Sequence, residues 1–253
     1  FLSFTYIELI DKSTYLNHYY FVSMVCLLLI FLPAHVYFSL DAYRNKKILA
    51  DSIPAWCLDS LRLFVSFLYF FAGLAKLNSD WLLLAQPLKI WLPAKNDLPF
   101  IGFLFNYSWI PFVFSWFGCF YDLFIAFFLW SPKTRLLAYG AVIVFHGLTA
   151  LLFPIGMFPY VMMVTALVYF SGEFHQKIIH QFGKWLSLSK QSLQPNTTYT
   201  YLPLVRKGLL VGFGCFFVWQ LVMPFRYWLY PGELFWTEEG YRFSWRVMLV
   251  EKA

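Results

Sequence analysis

Charge is what this sequence has least of. Asp, Glu, Lys and Arg make up 13% of its 253 residues, against about 25% in an average globular chain. Nineteen basic and thirteen acidic side chains cannot cover the water-facing surface of a protein this size. The formal charge of +6 is small and scattered, so no basic block is offered to nucleic acid and none is expected as a partner. Cysteine is nearly absent too. Cys26, Cys57, Cys119 and Cys215 lie far apart, with neither CxxC nor the Cys/His spacing of zinc sites, which excludes a disulfide scaffold and leaves no metal site. There is no internal repeat. The chain opens on Phe1 without an initiator methionine or a signal-peptide pattern, so further N-terminal sequence is expected before it.

What the chain does have is apolar surface: 60% hydrophobic residues, 23% aromatics and a mean hydropathy of +0.62. Apolar side chains are the correct exterior only in lipid, so the bilayer is the first partner. A span needs about 20 mostly apolar residues. Six segments qualify, near 19–40, 58–77, 111–130, 136–153, 157–170 and 209–225, the fifth being short. The expected fold is therefore an all-α integral membrane bundle of about six transmembrane helices. Between the second and third spans, 80–100 holds Trp81, Trp91 and three prolines and reads as interfacial or re-entrant. Residues 1–223 form the membrane domain, with a polar linker near 171–204 that starts amphipathic. The tail, 224–253, turns at Tyr230-Pro231-Gly232 and then carries strand-like Tyr, Phe, Trp and Val, which predicts a short outside-facing hairpin.

Orientation follows from the connecting segments. Those after the first, third and fifth spans carry Arg44, Lys46, Lys47, Lys133, Arg135, Lys177, Lys184, Lys190, Arg206 and Lys207 against Asp41, Asp51 and Glu173. On the other side basic and acidic residues balance. The positive-inside tendency puts the basic loops in the cytoplasm and both chain ends outside.

An ionisable residue inside a span is costly and is a functional candidate by default. Asp59 and Arg62 are three apart, so one helical face pairs them as a structural brace. Asp122 reads as a structural polar group that caps or bonds a neighbouring helix. Lys76 closes the second span in Ala72-Gly73-Leu74-Ala75-Lys76, where small residues let a backbone or ligand approach. Two readings stand for it: an ammonium that snorkels to the headgroups, or an amine withdrawn from water and able to act as a base. His18 precedes the first span on the outside, and His146 lies past the midpoint of the outward-running fourth. Lys76, His18, His146 and the tail thus converge on the outer half of one bundle, as polar groups around a buried site for a lipophilic substrate do.

At these residues the sequence resembles the vitamin K-dependent γ-glutamyl carboxylase family, also called the horizontally transferred transmembrane family. The matching stretches are 9–20 (LIDKSTYLNHYY), 70–81 (FFAGLAKLNSDW), 145–162 (FHGLTALLFPIGMFPYVM) and 236–245 (WTEEGYRFSW). They follow the family's order over nearly the whole chain, and the RFSW ending is of the bacterial kind. The resemblance implies that Lys76 is the base that deprotonates reduced vitamin K so that it reacts with dioxygen. The oxygenated quinol then removes a γ-proton from a peptidyl glutamate, carbon dioxide adds, and vitamin K epoxide leaves. By the same resemblance His18 and His146 are catalytic histidines, and Asn17, Trp236, Tyr241 and Trp245 lie near the cofactor or the glutamate. Reduced vitamin K, O2 and CO2 are then the cofactor and co-substrates, with no metal. The membrane is implied to be a bacterial inner membrane with the site on its extracytoplasmic side. The sequence departs from the animal members at Tyr227 and Val250, where they have histidine, and the tail is expected to lead into a further β-rich domain. Two other functions stand beside it: a non-enzymatic lipid or quinone carrier or small transporter, which shares the apolar pocket without needing a base, and a structural membrane module.

Overall fold

The computed structural model describes residues 1–10, 15–185 and 197–246. Short α1 (Leu2–Ile10) precedes α2 (Asn17–Phe31), then α3 (Leu40–Arg44) and the long α4 (Ala55–Ala75). Two single turns, α5 (Ser79–Leu82) and α6 (Leu88–Trp91), fill the next connection. After them come α7 (Ile110–Trp130), α8 (Arg135–Leu152), α9 (Phe158–Thr165), the surface helix α10 (Gly172–Trp185), α11 (Pro203–Val222) and a last turn, α12 (Leu234–Thr237). No β-strand occurs among the described residues; Ser52 and Thr198 form one isolated bridge.

Among the described residues four helices are long and apolar enough to cross a bilayer: α4, α7, α8 and α11 with its 3₁₀ extension, Pro203–Leu229. Two shorter apolar helices, Asn17–Phe31 and Phe158–Tyr169, stand where the first and fifth segments were read. The first is shorter than 19–40 because Leu32 goes extended (φ −96°, ψ 148°) in front of Pro33, which cannot donate to the helix and disfavours a helical residue before it. In the fifth, the α-helix tightens to 3₁₀ at Ala166.

The inside-out pattern of α7 shows what solvent it faces. Val113, Trp116, Phe117, Phe120, Phe124, Phe127 and Phe128 are exposed, whereas Ser115, Gly118, Cys119, Asp122 and Ala126 are buried. Ile110, Tyr121, Ile125 and Leu129 are buried as well, but an outer face made of large apolar side chains, with the helix's small and polar residues turned inward, is the arrangement lipid rewards, since helices in lipid associate through close packing and polar contacts. The chain is an all-α integral membrane protein.

Packing of α4 on α7 decides the rest. A Cβ on Gly73 would lie 2.7 Å from the Leu123 backbone nitrogen, so only glycine lets the two backbones come this close. Cys119 Sγ reaches the Gly73 carbonyl at 3.7 Å in the same seam. The 80–100 connection is broken into single turns, as its prolines dictate. Its Trp81 folds back under α7, donating its indole N–H to the Ser115 carbonyl at 2.8 Å while the Ser115 hydroxyl donates to the Trp81 carbonyl. Asn78 caps this turn through Trp81 N–H at 2.9 Å.

The tail differs from the hairpin expected of it. Residues 241–245 are turns, and 247–253 lie outside the described residues. Phe243 and Trp245 take positive φ of 60° and 57°, which rolls the segment up instead of extending it. Gly240 (φ +78°) passes so close to Tyr227 that a Cβ would meet its Cα at 2.6 Å. Trp245 is fully buried against Tyr20, Phe21 and Phe64, at centroid distances of 5.1, 6.4 and 5.6 Å. Burial of one large aromatic ring, with its 150–250 Å² or so of apolar area, outweighs the strand preference of five residues.

Candidate active site

The Gly73–Leu123 approach brings the end of α4 against the middle of α7. Lys76 Nζ donates to Asp122 Oδ2 at 2.8 Å and to the Ala72 carbonyl at 3.3 Å. Both side chains of the pair are nearly closed off, at 7% and 8% exposure. The Trp81 ring lies 5.4 Å from Nζ, close enough for its π face to attract the cation. Lys76 therefore does not snorkel to the headgroups; it turns inward onto a carboxylate from another helix.

The pair lines a cavity of about 70 Å³. The other walls are Leu68, Tyr69, Ala72, Leu88, Phe114, Phe145, Phe153, Ile155 and Phe158, with His146 and Thr149 as the further polar members. His146 is 2% exposed. Its Nε2 is hydrogen-bonded to the Tyr69 hydroxyl at 2.9 Å, and its buried Nδ1 has no partner among the described residues. Helix α8 supplies His146, α4 supplies Tyr69, Ala72 and Lys76, and α7 supplies Gly118 and Asp122, so three of the spanning helices meet at one void. The arrangement offers one donor–acceptor ring nitrogen, one ammonium–carboxylate pair and an apolar enclosure. Chemically, such a set can take a proton from an acidic hydroxyl and keep water from what is formed.

His18 is buried but does not line this cavity. Its ring packs on Phe158 at 6.0 Å, and Phe158 in turn packs on His146 at 6.1 Å, so one phenyl ring separates the two histidines. Asn17 is further from the chemistry: its Nδ2 donates to the Arg246 carbonyl at 2.7 Å and its Oδ1 accepts from Tyr15 at 3.0 Å, clasping the start of α2 to the tail. Trp245 belongs to the core, Tyr241 is half-buried in the tail, and Trp236 is 90% exposed. None of these four lines the cavity that holds Lys76. Asp59 and Arg62 pair at 3.0 Å near the opposite end of α4. Sequence reasoning placed Asp122 among the structural groups, read Trp81 as interfacial and passed over Tyr69. The signal for Asp122 was available in its being the one acidic residue inside the third span; no sequence pattern marks Tyr69. Among the described residues no group of His, Cys, Asp and Glu is arranged to hold a metal ion.

Fold and cavity together define a polytopic helical membrane protein with acid–base groups enclosed between its spans. Residues 1–174 match the family model for the HTTM domain, and the chain belongs to that family. Residues 205–253 match the Vitamin K-dependent gamma-carboxylase, lumenal domain, and the two matches in series make it a vitamin K-dependent carboxylase-related membrane protein. No solved structure matches it.

Proposed function

We propose that the chain is a vitamin K hydroquinone-dependent enzyme whose base is Lys76, held by Asp122. The observation that carries this reading is the buried Lys76–Asp122 pair at 2.8 Å beside the unpartnered Nδ1 of His146 in an apolar void. Bound in that void, reduced vitamin K supplies an oxidisable hydroquinone whose reaction with dioxygen drives γ-proton removal from a peptidyl glutamate and addition of CO2.

The donor set suits such a group: two phenolic hydroxyls need one base and one hydrogen-bond partner, and both are present. Volume sets a condition. An engineered cavity of about 150 Å³ takes one benzene ring, so a void of about 70 Å³ admits a bicyclic ring only when wall side chains give way. Trp81 and Leu88, on the single-turn segments between α4 and α7, are the walls with the least helix behind them.

Each residue then has a task. In its unprotonated form Lys76 accepts the phenolic proton, while Asp122 fixes the amine's position and balances the charge that then appears on it. His146, its Nε2 oriented by Tyr69, presents Nδ1 to the second oxygen. The phenyl and aliphatic walls exclude the water that would quench a strong base. His18 acts from behind Phe158 as a positioning residue. On the positive-inside reading the cavity opens toward the extracytoplasmic face of the membrane, a bacterial inner membrane.

Incubation with vitamin K hydroquinone and oxygen should yield the epoxide, read by chromatography. Lys76→Ala should reduce it by about 10²–10⁴-fold, the usual worth of a positioned base. Lys76→Arg should not restore it, because a guanidinium keeps its proton at every accessible pH. Epoxide formation unchanged in Lys76→Ala overturns the assignment; quinol bound equally by wild type and Lys76→Arg, with no turnover in either, would instead mark a carrier.

A further inference from the structure

A second cavity of about 230 Å³ lies against another face of the end of α4. Lys76 and Ala72 look into the first void, whereas Phe71, Leu74, Ala75 and Asn78 look into the second, whose far wall is the tail segment from Pro224 to Arg246. Its innermost charged group is Arg246. That side chain is 9% exposed, its guanidinium carbon stacks 4.7 Å over the Tyr227 ring, and its buried Nε has no hydrogen-bond partner among the described residues.

The other acid–base member of the wall, Glu233, is exposed, so it sits on the solvent side and forms no ion pair with Arg246 among the described residues. Burial lowers the Arg246 guanidinium from its ordinary value, and the hydroxyls of Tyr227 and Tyr241, not a carboxylate, oppose that. A desolvated cation with an unused donor is costly unless something anionic arrives. Its fork geometry matches a carboxylate with two parallel hydrogen bonds.

We propose that Arg246 receives the carboxylate of an acidic peptide side chain in this second cavity, beside but separate from the acid–base pair. The stacked Tyr227 holds the guanidinium plane. The void has room for one side chain, which selects a single extended residue over a bulky polyanion. This assigns a specificity residue to the reaction proposed above, whose substrate is already a glutamate, and rests on that reading.

The test uses the full chain in lipid nanodiscs and measures binding without turnover, by saturation-transfer NMR. The probes are N-acetyl-glutamate N-methylamide and its glutamine counterpart, which differ only in the charged group. Wild type should bind the glutamate probe at least tenfold more tightly. Arg246→Gln should erase that preference, and Arg246→Lys, which keeps the charge but not the fork, should reduce it severalfold. Lys76→Ala should keep the full preference while losing epoxide formation. No preference in wild type, or a preference unchanged in Arg246→Lys, overturns the proposal. Loss of epoxide activity alone, with the preference intact, leaves the carboxylate seat standing, so the two readings fail separately.

Discussion

Helix α4 carries an ion pair near each end, and the two are built differently. Asp59 and Arg62 are one turn apart on the same helix, 3.0 Å from each other, with 44% of the aspartate and 18% of the arginine side chain exposed. Arg62 has other acceptors: its Nε donates to the Val168 carbonyl at 3.0 Å and its Nη2 to the Tyr169 carbonyl at 3.4 Å. Lys76 and Asp122 come from different helices, are nearly shut off from solvent, and face a void in which the Nδ1 of His146 is unpartnered among the described residues. The first pair is a brace in which each guanidinium nitrogen has an acceptor inside the protein. The second leaves capacity unspent, and unspent capacity in an apolar enclosure is what a reactant can use.

The comparison breaks most visibly at Asp122. Removing one partner of a buried pair costs about 3–5 kcal/mol, because the other charge is left without compensation. Asp122→Asn should therefore lower the thermal midpoint of the solubilised chain sharply and abolish epoxide formation together. The double variant Lys76→Met/Asp122→Leu separates the two losses. Replacing both charges by apolar groups of similar size restores stability in such pairs, so its midpoint should return near wild type while activity stays absent. A double variant that is both stable and active would reduce the pair to a brace like the first.

His146 sharpens the chemistry next. His146→Gln keeps a polar group in the wall but loses the ring nitrogen, and should cost about 10²-fold in epoxide formation with little change in midpoint. Tyr69→Phe removes only the hydrogen bond that orients Nε2, worth about 1 kcal/mol, and should cost no more than tenfold. Equal losses in both variants would mean that the hydroxyl, not the imidazole, is the working group.

At the brace, Arg62→Met removes hydrogen bonds from a charged donor to two carbonyls, each about 1.5–3 kcal/mol at most. The expected result is a lowered midpoint with normal turnover per folded molecule. Reduced turnover at unchanged stability would place Arg62 in the chemistry and erase the contrast with Lys76.

Much of the bundle is legible in the sequence because lipid imposes a simple rule: long apolar runs are helices, and the exceptions within them matter. Lys76 and His146 stand out for that reason, and the Ala-Gly-Leu-Ala run before Lys76 announces a close approach. What the run does not announce is the partner. Lys76 and Asp122 are 46 residues apart, and only the packing of Gly73 on Leu123 brings them together. Asn17 and Trp245 are a different case: a motif marks them without naming their contacts, and in the structure Asn17 bonds the tail backbone and Trp245 fills the core. The tail itself misleads because its aromatic content suits a strand, while the burial of one indole suits a turn.

The smallest effect is expected at Asp59, and it tests whether the two pairs differ in kind. A carboxylate 44% exposed interacts with its partner largely through water, where ion pairs contribute about 0.2–1 kcal/mol. Asp59→Asn keeps an acceptor for Arg62, whose guanidinium still has the Val168 and Tyr169 carbonyls. The midpoint should fall by no more than a degree or two, turnover should be unchanged, and the coupling to Arg62 measured in a double-mutant cycle should lie below about 1 kcal/mol. The same cycle at Lys76 and Asp122 should give several times that value. Equal couplings would mean that enclosure contributes nothing, and the distinction between a brace and a reactive pair would have to be sought in the cavity wall instead.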